Sequence, residues 1–505
     1  MNDAAGRRTR PPDGHGARPP DGRATRLPGG PATGAPEDRA APTPATHAPE
    51  DRAAPTPATH APEDGAAPTP DGRGVRSLGG LAARTLGSYG VRFVLGALMS
   101  VVVNRSLGPE GRGAYAVLIA VATVALHLGQ LSVEEAHVAL WSRIRDAATV
   151  TANSVLFGAA LGCVCAVGAA IVVVGLGPGV VPVPDLGLLA VALAWIPCAM
   201  TEKLLARLMV LRTRIEVNNR SGLLSVGVHC ASLVLLAALG EVTLGRVVAL
   251  WTVSAALPLV VLLPAARPAL RHCDLAVARR TLRLGLRYHT GLVSMFLLLR
   301  ADVLILGAMT TTAEVGLYAV AVTLMELGRV PPDVLANLAM PRQLEDDERA
   351  AALFTVRSTR IAALVAAGSV GLLCAAAPLL VPAVYGPVFT GAVGPLLALA
   401  PGLWSIGASR PVGAFLLRLD RPLWNSMTAV AALSVNVAVN LALIPSCGAV
   451  GAALASSVAY TVLAVLQVLW FLRVTRRPWS DLLPRCSDVR FLWATACRVP
   501  SWRAG

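Results

Sequence analysis

The chain has 505 residues, 54% of them hydrophobic and only 15% charged. That balance excludes an ordinary soluble domain and points to repeated apolar runs of membrane-spanning length. The net charge of +14 does not indicate a nucleic-acid partner, because the excess arginines lie between the apolar runs instead of gathering on one domain.

In chain order, residues 1–77 are rich in Pro, Ala, Gly and Arg and hold almost nothing to bury. Ala35–His47 (APEDRAAPTPATH) recurs identically at Ala48–His60 and in part at Ala61–Pro70. A proline-rich exact repeat cannot build a core, so a disordered tail leaning to polyproline II is expected. Thr43, Thr56 and Thr69 each precede a proline and could be phosphorylated or serve in docking; a neutral low-complexity extension is the simpler reading. No secretory-leader pattern opens the chain. Ten arginines and ten acids up to Leu78 leave the tail neutral, so the remaining 34 basic and 20 acidic residues carry the whole excess. Nine cysteines form no Cys-x-x-Cys and no Cys/His cluster, which supports neither a disulfide framework nor a metal site. Lys203, the sole lysine, is assigned no role.

Apolar runs follow near 84–104, 113–133, 151–174, 186–208, 222–240, 246–266, 288–309, 315–338, 357–382, 392–417, 424–444 and 449–472. They predict an all-α integral membrane protein of about twelve transmembrane helices, with kinks at Pro197, Pro258 and Pro401. Alternate connections hold most of the arginines: Arg143/Arg145, Arg212/Arg214/Arg220, Arg267–Arg287, Arg342–Arg360, Arg418/Arg421 and Arg473–Arg490, with Arg105, Arg112 and Arg246 as exceptions. The positive-inside rule then places both termini in the cytoplasm. The connection at 267–287 divides six runs from six, so 78–270 and 271–475 are expected to form two six-helix bundles around a central cavity. Residues 476–505 are left as a cytoplasmic tail. Gly113-Ala-Tyr-Ala-Val117 and Gly316-Leu-Tyr-Ala-Val320 open the second run of each half, which favours duplication. The glycine-rich Gly108–Gly113 follows a helix, not a strand, so it reads as a tight external turn.

Three stretches carry a family resemblance: NRSLGPEGRGAYAV (Asn104–Val117), RADVLILGAMTTTAEVGLYAVAVTLMELGRV (Arg300–Val330) and NLALIPSCGAVGAALASSVAY (Asn440–Tyr460). Over about residues 80–475 the chain resembles the polysaccharide-export and O-antigen-type flippases of the multidrug/oligosaccharidyl-lipid/polysaccharide (MOP) exporter superfamily. The resemblance implies two six-helix bundles working by alternating access in a bacterial plasma membrane. It also implies that the chain translocates an undecaprenyl-diphosphate-linked oligosaccharide for cell-surface polysaccharide synthesis, beside glycan polymerase or glycosyltransferase partners. No catalysis and no cofactor are implied, and transport is expected to depend on an ion gradient. The chain agrees by lacking a nucleotide-binding phosphate loop.

Charges inside the runs are the candidate functional residues, since each costs roughly 2.5–3.5 kcal/mol at mid-membrane unless it faces protein or water. Arg92, Arg300 and Arg410 are expected to line the cavity and offer guanidinium forks to a lipid diphosphate. Asp302 would orient one of them or titrate during coupling. Arg300 and Asp302 stand two apart, about 200° around a helix, so each needs its own partner on another helix or in water. Glu326 and Arg329, at i,i+3, can pair locally, and serve coupling or structure. His127 and His289 could lie on a proton path or bond a neighbouring helix. The rival expectations are a cation-coupled multidrug exporter and a non-transporting membrane scaffold.

Overall fold

In the computed structural model the described residues are 72–141, 147–343, 347–419 and 422–497. The tail repeats, Arg143, Arg145 and Arg421 lie outside them. Helix α1 (Gly72–Gly129) starts within the stretch expected to be tail and carries the first two apolar runs as two arms. Gly108 separates the arms with φ 64°, a left-handed value that glycine adopts freely. Pro109 then starts the second arm, where its missing N–H leaves nothing unsatisfied. The expected turn over Gly108–Gly113 therefore shrinks to one residue.

Next come α2 (Val133–Leu140) and α3 (Ala147–Leu176). The run 186–208 divides into α4 (Leu186–Leu193) and α5 (Trp195–Leu211). After α6 (Ile215–Ala238), the run 246–266 divides into α7 (Leu244–Ser254) and α8 (Leu257–Ala266). The interruptions fall just before Pro197 and Pro258, which stand in the first turns of α5 and α8, and each pair of pieces still makes one span. Helices α9 (Leu275–Leu298) and α10 (Ala301–Met309) meet at a bend of 49°. They are followed by α11 (Thr312–Gln343), α12 (Glu348–Tyr385), α13 (Val393–Leu417), α14 (Pro422–Thr475) and α15 (Cys486–Cys497). Pro401 lies inside α13. Helix α14 breaks at Gly448 (φ 53°), as α1 does at Gly108. There Glu314 of α11 accepts the N–H of Ala449 (3.0 Å), a carboxylate set at the positive start of a helical arm.

Among the described residues eight helical spans are long and apolar enough to cross a membrane, or nine with α9 and α10 joined. The count differs from twelve because α1 and α14 each hold two runs. In addition α11, with Glu314, Glu326, Arg329, Asp333 and Arg342, falls outside the apolar set. The chain is a multi-pass, all-α membrane protein.

Helices α1–α8 pack mainly on one another, as do α9–α14. One continuous apolar core joins them, from Leu118 and Leu126 through Tyr318 to Leu396 and Ala453. The two groups meet at both ends of the second arm of α1. At its start, a Cβ on Gly113 would strike the carbonyl of Thr312, and one on Gly316 the carbonyl of Pro109. Each glycine covers the residue four before the other, the reciprocity that a two-fold relation produces. Beyond its end, Leu131 and Ser132 turn α1 into α2 with φ of 49° and 51°, values costly for residues bearing a Cβ. Gly285 of α9 lies against their carbonyls. His289 Nε2 donates to Leu128 O (3.0 Å), and its Nδ1 lies 3.2 Å from Ser132 Oγ.

Candidate functional site: the polar interior

Arg300 sits in the break between α9 and α10, so it and Asp302 do not share one continuous helix. The two side chains point to different partners. Arg300 Nη2 bonds Glu326 Oε1 of α11 at 2.8 Å, with both side chains nearly half exposed. Asp302 is buried and accepts from the hydroxyls of Tyr318 and Ser456 (the latter 3.0 Å) and from the N–H of Val303 (2.8 Å). Asn436 Nδ2 donates onward to Ser456 Oγ at 3.3 Å. Helices α10, α11 and α14 thus converge on one carboxylate that has no ion-pair partner among the described residues. Glu326 is taken by Arg300 and does not pair with Arg329, which lies 3.5 Å from Asp333. The local i,i+3 pair is replaced because the bend brings a guanidinium within direct reach of Glu326.

A second cluster lies on α1, α2 and α5. His127 stacks on Phe296 of α9 with ring centroids 3.6 Å apart, and its Nδ1 lies 2.8 Å from Thr123 O. Lys203 Nζ lies 3.5 Å from His127 Nε2 and 3.9 Å from Glu134. Arg207 reaches the other oxygen of Glu134 at 3.4 Å. Two cations share one acid here, and both remain over a third exposed. At the other end of the same arm of α1, half-buried Arg112 donates to Thr323 Oγ1 of α11 (3.4 Å) and stands 5.6 Å from the Tyr115 ring.

Arg410 lines a cavity of about 500 Å³ among α2, α9, α11, α13 and α14, with Tyr288, Asn337, Asn425 and Gln467. Its Nε meets Asp333 at 2.7 Å, the acid that also holds Arg329. Arg92 is elsewhere: half-buried on the first arm of α1, it lies against Gly222 of α6, 5.7 Å from the Tyr89 ring. The three expected cavity arginines therefore occupy three places, and the cavity at Arg410 is lined by neither of the other two.

Lys203, Arg207 and Glu134 carried a signal that went unused, since all three interrupt or border apolar runs. Asp333 was masked by its place after Pro331-Pro332. Tyr318 lay inside the repeated Gly-x-Tyr-Ala-Val, but nothing local shows that its hydroxyl answers Asp302. Arg112 was read as part of an external turn. Together these groups can hold an anion between fixed guanidinium and ammonium groups, and a proton or small cation at Asp302.

Solved structures share this fold at low identity. A lipid II flippase, MurJ, in an inward closed conformation matches with a TM-score of 0.60 at 12% identity, covering 83% of this chain and 93% of that one. An outward-facing multidrug resistance MATE family transporter of the MOP superfamily matches at 0.56 and 15% identity, over 78% and 94%. A MOP superfamily transporter from Pyrococcus furiosus, described by a binding pocket of reversed polarity, matches at 0.55 and 15%, over the same shares. Comparison with the curated proteins gives no match. The proteins sharing the fold are a flippase and transporters, not enzymes. Residues 101–394, more than half of the chain, match the family described as polysaccharide biosynthesis protein, and the chain belongs to that family within the MOP-superfamily fold.

Proposed function

We propose that the protein is a flippase that moves a lipid-diphosphate-linked oligosaccharide across the bacterial plasma membrane for cell-surface polysaccharide synthesis. The observation that carries this reading is the set of half-exposed cations that interrupt or border the apolar spans: Arg300, Lys203 and Arg207. A charge facing acyl chains is too costly to keep, so these groups face a wet interior, where a diphosphate can be matched. Membership of a polysaccharide family and the fold shared with a lipid II flippase support the same substrate class. Arginine-rich connections put both termini in the cytoplasm.

Residues 78–270 and 271–475 act as two bundles that open alternately. Coupling to an ion gradient is assigned to Asp302, because a buried carboxylate without a cation calls for a proton or a bound ion. Arg300→Ala is expected to abolish translocation of lipid-linked glycan while expression and membrane insertion stay normal. Full activity of that variant removes the cation from the mechanism. Efflux of cationic drugs in a pump-deficient strain, without glycan movement, would place the protein with the drug exporters instead.

A further inference from the structure

Most interior arginines have an acid: Arg300 has Glu326, Arg329 and Arg410 share Asp333, Arg207 has Glu134, and Arg360 has Asp488. The first half of α9 is different. Arg279, Arg280, Arg283 and Arg287 are all exposed, and among the described residues none has an ion-pair partner. At 100° per residue the four fall within about 100° of arc, over roughly 12 Å of helix. Ala278, Thr281 and Gly285 on the opposite side are buried. The stripe is therefore the outward face of a helix whose back is fixed.

Its base is fixed as well. The Asp274 carboxylate caps α9 by accepting from Ala276 and Val277 (2.7 and 3.2 Å). Asn153 of α3 clasps the Asp274 backbone from both sides (3.0 and 3.2 Å). Leu140 of α2 stands beside Arg280, Arg283 and Arg287, so the stripe borders the junction of α9 with α2. Leu275 (78% exposed) and Leu286 (53%) flank the stripe, so apolar surface lies beside the charge.

The geometry points to a binding site for the diphosphate head of a polyprenyl lipid at this end of α9, where the substrate docks before it enters the interior. This rests on the flippase reading for the identity of the lipid. Four unbalanced guanidinium groups on one rigid face suit a multiply charged anion better than a monoanionic phospholipid head. The flanking leucines suit the attached chain. The arginines also serve topology, but topology alone does not require one continuous stripe without acids on one fixed helix face.

The test uses the full chain in nanodiscs and measures binding of a short-chain polyprenyl diphosphate against its monophosphate and phosphatidylglycerol. R280Q/R283Q is expected to weaken diphosphate binding by about tenfold or more, while R280K/R283K recovers only part. R473Q/R476Q, which removes two other exposed arginines, is expected to leave binding unchanged. Unchanged binding in R280Q/R283Q, or wild-type protein preferring phosphatidylglycerol, overturns the site. A translocation assay separates the two claims. Arginine-dependent diphosphate binding without any glycan movement keeps the site and sinks the flippase reading. Glycan movement with unchanged binding in the double variant does the reverse.

Discussion

At the Gly113–Gly316 contact two helices touch backbone to backbone, whereas at the Leu131–Ser132 corner a strained turn is held by hydrogen bonds from His289. The first contact is made by shape alone and has no slack, since either Cβ would meet a carbonyl. The second balances opposing terms. Two left-handed residues cost roughly 1–2 kcal/mol each, and two hydrogen bonds return about 1 kcal/mol each. Both ends include a glycine pressed on backbone carbonyls, Gly285 at the corner, so the corner differs by adding strain and the hydrogen bonds that offset it. The lesson is that the two halves meet differently at the two ends of one helical arm: by shape at one, and through a strained turn with hydrogen bonds at the other.

The largest test strikes the fitted end. Gly316→Leu is expected to destabilise the protein by about 3 kcal/mol, since the obstacle is backbone and cannot rotate away. Thermal unfolding of purified protein reads the loss, and an unchanged transition means the contact is not a steric lock. At the corner, His289→Phe removes both hydrogen bonds, a loss of about 1–2 kcal/mol. Labelling of a cysteine placed at half-exposed Leu128 should then accelerate about fivefold or more. Leu131→Gly works in the opposite direction, relieving about 1 kcal/mol of strain in the closed corner and slowing the same labelling. Smallest is Glu326→Gln: the half-exposed pair with Arg300 contributes at most about 1 kcal/mol, so the unfolding midpoint should barely move. A large shift there would make the interior charges part of what closes the molecule.

Periodicity and run length made the helices legible, because apolar stretches near 20 residues leave few alternatives. Chain breaks were less visible. Gly108 and Gly448 look like other glycines until φ is known, and the bend at Arg300 has no proline or glycine to announce it. The rule that residues two apart cannot pair led correctly to separate partners for Arg300 and Asp302, although it assumed a continuous helix. Glu326 and Asp333 were assigned wrongly or missed because the choice among acids depends on how α11 is rotated against α10 and α13. The Gly-x-Tyr-Ala-Val repeat was read as ancestry; that its two copies touch is a tertiary fact.

Glu314 gives the fitted end a longer reach. Its carboxylate caps the restart of α14 from the first turn of α11, two residues before Gly316. A displacement at Gly316 is therefore delivered through a short rigid strut to the far arm of α14, whose Ser456 bonds Asp302. The contact between the two halves and the surroundings of the buried carboxylate are thereby joined through one helix cap.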